Sequence, residues 1–449
     1  MEQKAITVIT ELRQDSLDDL RKYLQAIGDD IKKNPVIQFS DFTELHYCSF
    51  FIIDDETPPL NTPAIAPLLV FEANIDGSKA DFIADFMRKK ADFLHFVYSF
   101  CTGYPGANNN DALATFMLNN DFGANAFYIA HPGQTRTTIA YQNKLRDYIE
   151  IYADANKPML EKLTPDAIRQ KVIQYLATIE PGYSEKKAAQ KPLLTRIGNL
   201  LFNGILLALG LVALAILLTA IGFIGSHTMQ IMAILILGLI ALYLTWLRCA
   251  ENHDRQDNRP WEAKNKDEIQ TIEDRQLQNH LTSVIDIKPG WLRLTTLRLV
   301  LFVINLAATL AATKGNLSGI VTIHFARWVI LPAKANERRR LLFMSNYDGS
   351  WENYLGEFID HASVGLTAVW SNTQLGPDRG FPDTQWLALK GGSRDEQRFK
   401  AFARNSQRRE LIWYSAYPDL SVKNIANNQV IHQGLFDANV NISDWLKRL

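Results

Sequence analysis

The sequence has little cysteine and no excess of charge of either sign. Its three cysteines, Cys48, Cys101 and Cys249, are far apart in 449 residues. Such scattered thiols do not suit a disulfide framework or a cysteine-based zinc site. The 47 basic and 48 acidic side chains leave a formal charge of −1, which gives no general attraction for nucleic acid. We therefore expect a reducing compartment and no nucleic-acid partner.

Several common enzyme motifs are also missing. The sequence contains no His-Glu-x-x-His, no Cys-x-x-Cys, no glycine-rich phosphate loop and no Gly-x-Ser-x-Gly. These absences argue against a metalloprotease, a nucleotide-dependent enzyme and a serine hydrolase. The N-terminal stretch MEQKAITVIT lacks the basic start and apolar core of a signal peptide. Membrane insertion, if it occurs, is expected to depend on an internal segment.

Two long runs without charge supply such a segment. Residues 197–224 and 229–247 contain no charged side chain and are separated by a short turn. Each run exceeds the ~18 apolar residues typical of a bilayer-spanning helix. Basic residues lie only on the side away from the turn: Lys186, Lys187, Lys191, Arg196 and Arg248. By the positive-inside tendency, we expect an integral protein of the inner (cytoplasmic) membrane with both soluble pieces in the cytoplasm.

The two soluble pieces resemble one another. LVFEANIDGS at 69–78 aligns with LLFMSNYDGS at 341–350, and the match continues beyond them without a gap. Upstream, His46 in LHYCSFFII pairs with His324 in IHFARWVIL. We infer that the two pieces are copies of one fold.

Each copy is predicted to follow the order β-α-β-β-α-β, the ferredoxin-like pattern. The predicted strands of copy one are 5–11, 45–53, 68–74 and 94–100, and those of copy two are 281–287, 324–331, 341–346 and 366–372. The predicted fold class is therefore α+β, with two ferredoxin-like repeats of the dimeric α+β barrel type linked by a two-helix transmembrane hairpin. Two such sheets commonly pack face to face and enclose a cavity.

These elements divide the chain into four segments. They are copy one with an extension (1–185), the transmembrane hairpin (193–249), a charged linker (250–278) and copy two (279–449). One helix of copy two, 291–312, is unusually apolar, although its run from 299 to 312 is too short to span a bilayer. It suits either a buried core helix or a helix lying half in the membrane, and both alternatives stay open.

Polar side chains on apolar strands are the candidates for catalysis. His324, Asp348 and Arg327 are predicted on neighbouring strands of copy two, and His46 and Asp76 are the counterparts of the first two in copy one. Histidine and aspartate held together can form an acid–base or ligand cluster. The competing interpretation is structural, since Asn-x-Asp-Gly-Ser meets the needs of a turn and a helix N-cap, and lone histidines on apolar strands are often core residues.

Strand alternation predicts where these side chains point. It places His324 on one face with Ala326 and Trp328, and Arg327 on the other. Copy one has Ser49 in place of Arg327. An arginine pointing into the interior would need a carboxylate or an anionic ligand.

Stretches such as TIHFARWVIL, LLFMSNYDGSWENYLGEFID and LIWYSAYPDLSVKNI resemble an uncharacterised family of bacterial membrane-associated proteins with tandem ferredoxin-like halves. This resemblance covers most of copy two and implies no activity. More distantly, tandem halves with an Asp-Gly turn are similar to the dye-decolourising peroxidase and chlorite dismutase superfamily. Its peroxidases carry Gly-x-x-Asp-Gly, but Ala73 and Ser345 replace the first glycine here.

The second resemblance implies haem as a candidate cofactor. A proximal histidine would then be required, and His361 and His432 are the candidates by their location. Asn74 and Asn346, which precede the two Asp-Gly turns, are further candidates for cofactor binding. Asp348 and Arg327 would then serve as the distal acid–base pair.

The sequence thus predicts a membrane-anchored protein that acts on a hydrophobic or lipid-derived ligand in a cavity between two halves. Haem-dependent, peroxidase-like oxidation is one form of this function. The alternative is a non-catalytic module that binds lipid or anchors an assembly at the membrane. The expected partners are the lipid bilayer and a hydrophobic small molecule or lipid, and a homo-oligomer stays open.

Overall fold

The computed structural model describes most of the chain outside the first predicted span and the charged linker. The described residues are 2–13, 17–54, 65–107, 109–180, 212–222, 225–254, 273, 276–311, 319–334, 337–375, 381–386, 388–437 and 440–449. They form a mixed α+β protein with antiparallel sheets and two long apolar helices.

The first half opens with the order β-α-β-β-α. Its elements are β1 (Gln3–Glu11), α1 (Leu17–Asp29), β2 (Leu45–Ile53), β3 (Leu68–Asp76), α2 (Lys79–Tyr98), α3 (Asn110–Asn119), β4 (Ala126–Ile129), α4 (Arg136–Ala155), α5 (Lys157–Leu160) and α6 (Pro165–Ile179). Strand β3 lies between β1 and β2 and is antiparallel to both.

The second half repeats this opening order after a long helix. Its elements are α7 (His227–Asn252), β5 (Gln278–Ile287), α8 (Trp291–Ala311), β6 (Ile323–Ile330), β7 (Arg340–Asp348), α9 (Trp351–Trp370), β8 (Thr373–Gln374), β9 (Thr384–Gln385), β10 (Lys390–Gly391), α10 (Glu396–Ser406), β11 (Gln407–Arg408), β12 (Ile412–Ser415), α11 (Val422–Gly434) and α12 (Ile442–Leu446). Strand β7 lies between β5 and β6, as β3 does between β1 and β2.

The fourth strands predicted at 94–100 and 366–372 are wrong, because both stretches are largely helical. Helix α2 runs to Tyr98 and α9 continues through most of the second stretch. Leu94, Val97 and Tyr98 are buried at a spacing of three and four residues, which puts them on one helix face. The apolar run therefore reflects core contact by a helix, and directly after α9 the two-residue strand β8 pairs with β5.

The two halves exchange strands. Strand β12 from the second half pairs with β2, which gives the sheet order β1-β3-β2-β12. Strand β4 from the first half pairs with β6, which gives the order β11-β5-β7-β6-β4. The segments predicted as separate domains, 1–185 and 279–449, therefore complete each other's sheets.

The two sheets pack against each other by their inner faces. Apolar residues of both sheets form one cluster there: Ile9, Phe51, Ile53, Leu68, Val70, Val284, Val329, Leu331, Leu342 and Met344. Helices α1 and α2 cover the outer face of the first sheet, and α8 and α9 cover that of the second. Where the sequence predicted an apolar cavity between the halves, these side chains are packed together.

Two described helices are long and apolar enough to cross a membrane. They are α7 and the Trp291–Thr309 part of α8. The most apolar window of α7 is 11% buried, whereas that of α8 is 33% buried. The second predicted span, 229–247, falls within α7. The first, 197–224, lies mostly outside the described residues, as does the linker 250–278.

Helix α8 has two different apolar faces. Leu297, Leu301 and Ala308 are buried in the core of the second half. Leu299 and Phe302 point away from that core and are exposed. Of the two predicted alternatives, a buried core helix matches the face with Leu297, Leu301 and Ala308, but not the opposite face.

Candidate functional site

His46 and His324 occupy the same place in the two halves, and each lies at a β-bulge. The pairing register of β2 with β3 shifts at His46, and that of β6 with β7 shifts at His324. A bulge adds one residue to a strand and so changes which face the neighbouring side chains share. His324 therefore contacts Asp348 rather than sharing a face with Ala326 and Trp328, and the prediction from alternation is wrong at this residue.

Each of these histidines pairs with the aspartate of its own half. His46 Nε2 lies 3.0 Å from Asp76 Oδ1, and His324 Nε2 lies 2.7 Å from Asp348 Oδ1. The structure therefore brings together four of the predicted catalytic residues as two equivalent pairs.

The second carboxylate oxygen of each aspartate accepts a hydrogen bond from the N-terminus of a helix later in the chain. Asp76 Oδ2 accepts a hydrogen bond of 2.8 Å from the backbone N–H of Arg136, the first residue of α4. Asp348 Oδ2 accepts one of 2.7 Å from the N–H of Val422, the first residue of α11. A carboxylate here satisfies a free N–H and interacts favourably with the positive end of the helix dipole.

The pairs also join the two halves. His46 Nδ1 lies 2.8 Å from the hydroxyl of Tyr417, which follows β12. His131, which follows β4, donates a hydrogen bond of 3.0 Å from Nε2 to the carbonyl oxygen of Val422. Burial and the neighbouring His324 lower the pKa of His131 to about 4, so this ring is neutral at pH 7.

All four residues of the two pairs are buried. None of them lines the cleft beside Glu410 or the small pocket beside Asp254. Their contacts are with helix N-termini and with the other half. This geometry favours the structural interpretation of the Asn-x-Asp-Gly-Ser motifs over the catalytic one.

Arg327 belongs to a different buried cluster, between the sheets. Its Nη2 lies 3.1 Å from Glu72 Oε2, and His280 Nε2 lies 2.9 Å from Glu72 Oε1. His280 Nδ1 in turn lies 3.0 Å from Glu410 Oε1. The carboxylate that a buried Arg327 requires is therefore that of Glu72, and the four side chains form one ion network.

The remaining donors of Arg327 also have partners. Nη1 donates to the carbonyl of Ile6 at 2.6 Å, and Nη2 donates to Asn74 Oδ1. Asn346 Oδ1 accepts from Trp413 Nε1 at 3.0 Å. Both asparagines predicted to bind a cofactor thus have partners within the protein.

The network sets the charge of its members. Burial by itself lowers the pKa of His280, but the carboxylates of Glu72 and Glu410 raise it to about 9. Burial tends to raise the pKa of Glu72, but Arg327 and His280 outweigh it and hold that pKa below the usual range. At pH 7, therefore, His280 is cationic and Glu72 is ionised, although both side chains are buried.

Sequence comparison of the two halves could not find this network. Glu72 aligns with Met344, and Arg327 with Ser49, so the repeat contains no second copy of either charge. His280 and Glu410 come from β5 and from the segment before β12. The sequence feature that indicates a buried ion pair here is a charged residue inside an apolar strand, namely Glu72 in LVFEAN.

The network opens at His280 onto a cleft between the halves. The cleft has a volume of about 580 Å³ and is bounded by α1 on one side and by β5, β11 and β12 on the other. Its lining combines four basic side chains, four carboxylates and two aromatic rings: Lys32, His280, Arg408 and Arg409; Asp29, Glu273, Glu410 and Asp419; Trp413 and Tyr414. Its size is that of a small-molecule site.

The two histidines considered for haem lie elsewhere. His361 is exposed on α9, with Gly319 beside its ring. His432 is buried on α11 with its ring against those of Tyr141 and Phe436, at centroid distances of 5.8 and 5.3 Å. In the described part of the chain, no group of three or more His, Cys, Asp or Glu residues could hold a metal ion.

These contacts do not fit haem. A distal Asp and Arg would need to face an open space, but Asp348 is bound to His324 and Val422, and Arg327 to Glu72. Comparisons with protein-family models, curated proteins and solved structures gave no significant match.

Proposed function

We propose that the protein is a membrane-anchored, non-catalytic binding module that holds an amphipathic ligand in the cleft between two ferredoxin-like halves. The cleft is the observation that carries this proposal. It lies between elements of both halves. His280 lines it and also belongs to the buried ion network of Glu72 and Arg327.

The order of the strands supports the ferredoxin-like interpretation. Helices follow the first and third strands of each half, and the third strand lies in the middle of its sheet. The short β8 beside β5, and the single bridge between Leu12 and Cys101 in the first half, stand where a fourth strand would lie. The exchanged strands β4 and β12 are additions to this pattern.

Helix α7 supports the anchor. Its apolar surface is largely exposed, and its most apolar 18 residues have a mean hydropathy of 2.2. Arg248, near its end, lies on the side that the charge distribution predicts to be cytoplasmic. Both halves would then face the cytoplasm, with α7 in the inner membrane.

The walls of the cleft indicate the class of ligand. Trp413 and Tyr414 provide aromatic surface, and Lys32, Arg408 and Arg409 provide positive charge. Of the four carboxylates in the lining, Glu273 and Glu410 are paired with Arg404 and His280. Arg408 Nε is buried without a hydrogen-bond partner among the described residues, and a buried donor of this kind favours an acceptor. An acidic group attached to an apolar moiety, as in a lipid-derived carboxylate or phosphate, matches both features.

Native mass spectrometry of the detergent-purified protein tests this proposal. The wild-type protein is expected to retain a ligand mass that Arg408→Gln loses and that Arg88→Gln, at an exposed position on α2, retains. Equal retention by both variants, or no retained mass and no uptake of added oleate or lysophosphatidate by the wild type, would contradict it.

An absorption spectrum distinguishes this proposal from the haem enzyme. We expect no Soret band in the purified protein, nor after incubation with haem. A bound haem, together with oxidation of a peroxidase dye that Asp348→Asn abolishes, would favour the enzyme.

A further inference from the structure

Helix α8 carries an exposed apolar stripe on the side away from the sheet. Trp291, Leu299, Phe302 and Val303 are all exposed, and Phe302 is 63% exposed. Their spacing of eight, eleven and twelve residues from Trp291 places them on one face of the helix. A helix that is apolar on all sides normally lies in a protein core or in lipid, yet only one side of α8 contacts a core.

The stripe begins beside the end of α7. The rings of Trp246 and Trp291 are 4.7 Å apart between centroids, and Tyr243 Oη lies 2.7 Å from Thr296 Oγ1. The first turn of α8 is therefore held against the last turns of the proposed membrane anchor.

An ionic contact fixes the same junction. Asp254, directly after α7, accepts hydrogen bonds of 2.6 Å from Lys288 Nζ and from Arg293 Nη2. Lys288 follows β5, and Arg293 lies in the first turn of α8. The end of α7 is thus attached to the second sheet and to α8 together, so that the direction of α7 and the position of the stripe are coupled.

A short turn between β9 and β10 adds apolar surface at this junction. Trp386 is exposed, and Leu389 is 68% exposed. The guanidinium of Arg248 on α7 lies 5.2 Å from the centre of the Trp386 ring. Trp246, Trp291 and Trp386 therefore surround the end of α7, and tryptophan is enriched where a spanning helix leaves the hydrocarbon.

We propose that the stripe of α8 and the turn with Trp386 and Leu389 lie against the phospholipid bilayer as a second membrane contact. Continuity with α7 identifies the occupant, because a bilayer that contains α7 reaches Trp246 and hence Trp291. Arg298, exposed on the same side of α8, is placed to meet lipid phosphate. Helix α8 does not cross the bilayer, since Leu297 and Ala308 fix it to the soluble core over most of its length.

This inference rests on the proposed anchor, and spin-label accessibility separates the two. The full chain is reconstituted in phosphatidylethanolamine–phosphatidylglycerol vesicles with Cys249→Ser, since Cys48 and Cys101 are buried. Labels are attached at Phe302→Cys, Val303→Cys and Leu389→Cys. Leu239→Cys on the exposed surface of α7 reports the anchor, and Asp92→Cys, exposed on α2 of the first half, reports water.

The labels on the stripe and on the turn are expected to collide with oxygen more, and with a water-soluble nickel chelate several-fold less, than the label at Asp92→Cys. If they match the label at Asp92→Cys while that at Leu239→Cys is protected from nickel, the second contact is wrong and the anchor stands. If the label at Leu239→Cys also reacts with nickel as in water, the anchor itself fails. Protection from both reagents, with spin–spin coupling between chains, would show that a second copy covers the stripe and would overturn the inference.

Discussion

His46 in the first half and Tyr417 in the second share a hydrogen bond of 2.8 Å across 371 residues of sequence. Both side chains are buried, so loss of the hydroxyl leaves His46 Nδ1 without a partner. Tyr417→Phe is expected to lower the free energy of unfolding by about 1–3 kcal/mol. Denaturation followed by circular dichroism in detergent measures this, with Tyr175→Phe on α6 as the control. Equal stability of the two variants would contradict a role for this bond.

Asp76 and Asp348 make equivalent contacts, so their substitutions should have equivalent effects. Asp76→Asn and Asp348→Asn each weaken a contact to a histidine and to a helix N-terminus, and each is expected to cost about 1–3 kcal/mol of stability. Neither residue lines the cleft, so ligand retention by the folded protein should not change. Loss of a measurable turnover at unchanged stability would instead revive the catalytic interpretation.

The Arg327–Glu72 pair allows a test by compensation. Arg327→Met leaves Glu72 buried with less positive charge nearby and is expected to cost about 3–5 kcal/mol. The double variant Arg327→Met with Glu72→Leu removes both charges from the same contact and should recover much of this loss. Chemical denaturation of the wild type, Arg327→Met, Glu72→Leu and the double variant measures the coupling. A double variant that loses as much stability as the sum of the two single effects, or more, would argue that the pair does not act as a unit.

The pKa values of two buried histidines are shifted in opposite directions, so we expect the stability to fall on either side of neutral pH. The folded-state pKa of His280, about 9, lies above the unfolded value of about 6.5, so its contribution is complete below pH 6.5 and is lost as the pH rises through 9. This contribution is at most roughly 3 kcal/mol. The folded-state pKa of His131, about 4, lies below the unfolded value, so stability is lost as the pH falls from 6.5 towards 4.

Thermal unfolding between pH 4.5 and 9.5 checks this profile. His280→Gln should flatten the alkaline side and leave the acidic side, and His131→Gln should do the reverse. An alkaline slope that His280→Gln leaves unchanged would assign that side to another group.

A substitution at Gly28 tests the packing of α1 against the segment before β12, beside the cleft. A Cβ at this position would lie 1.9 Å from the backbone oxygen of Leu411, so Gly28→Ala must push α1 away from the segment that carries Glu410. We expect lower stability and weaker ligand retention. Gly356→Ala in α9 is the matched control, because its Cβ would meet no atom within 4 Å and should be neutral or slightly stabilising. If Gly28→Ala retains ligand and stability as the control does, α1 does not form a wall of the cleft.

The local pattern of the sequence was sufficient for many of the individual elements. Strand β2 has the predicted bounds, 45–53, because its aromatic and β-branched residues and the turns around it act locally. The alignment of the two pieces pairs His46 with His324 and Asp76 with Asp348, and each histidine lies beside the aspartate of its own half. The Asn-x-Asp-Gly-Ser motif predicts a turn and the N-cap of the helix that follows it, which Ser78 and Ser350 form. The contacts of Asp76 and Asp348 with the later helices α4 and α11 could not be predicted from it.

Other features depend on contacts between distant segments. The pairings of β12 with β2 and of β4 with β6 cannot be predicted from the hydrophobic periodicity of these strands. The bulge at His324 changes its face without changing the residues around it. The network of Glu72, His280 and Glu410 has no counterpart in the alignment of the two halves, where Met344 stands opposite Glu72, and its members are distant in sequence.

The exchange of strands has a consequence for biosynthesis. Strand β2 emerges from the ribosome early, but its neighbour β12 is made more than three hundred residues later, after α7. Until then one edge of β2 has free backbone groups, which can pair with other chains. The first sheet therefore cannot be completed during translation of the first half, and the nascent chain would be tethered at the membrane by α7 while that edge is still open.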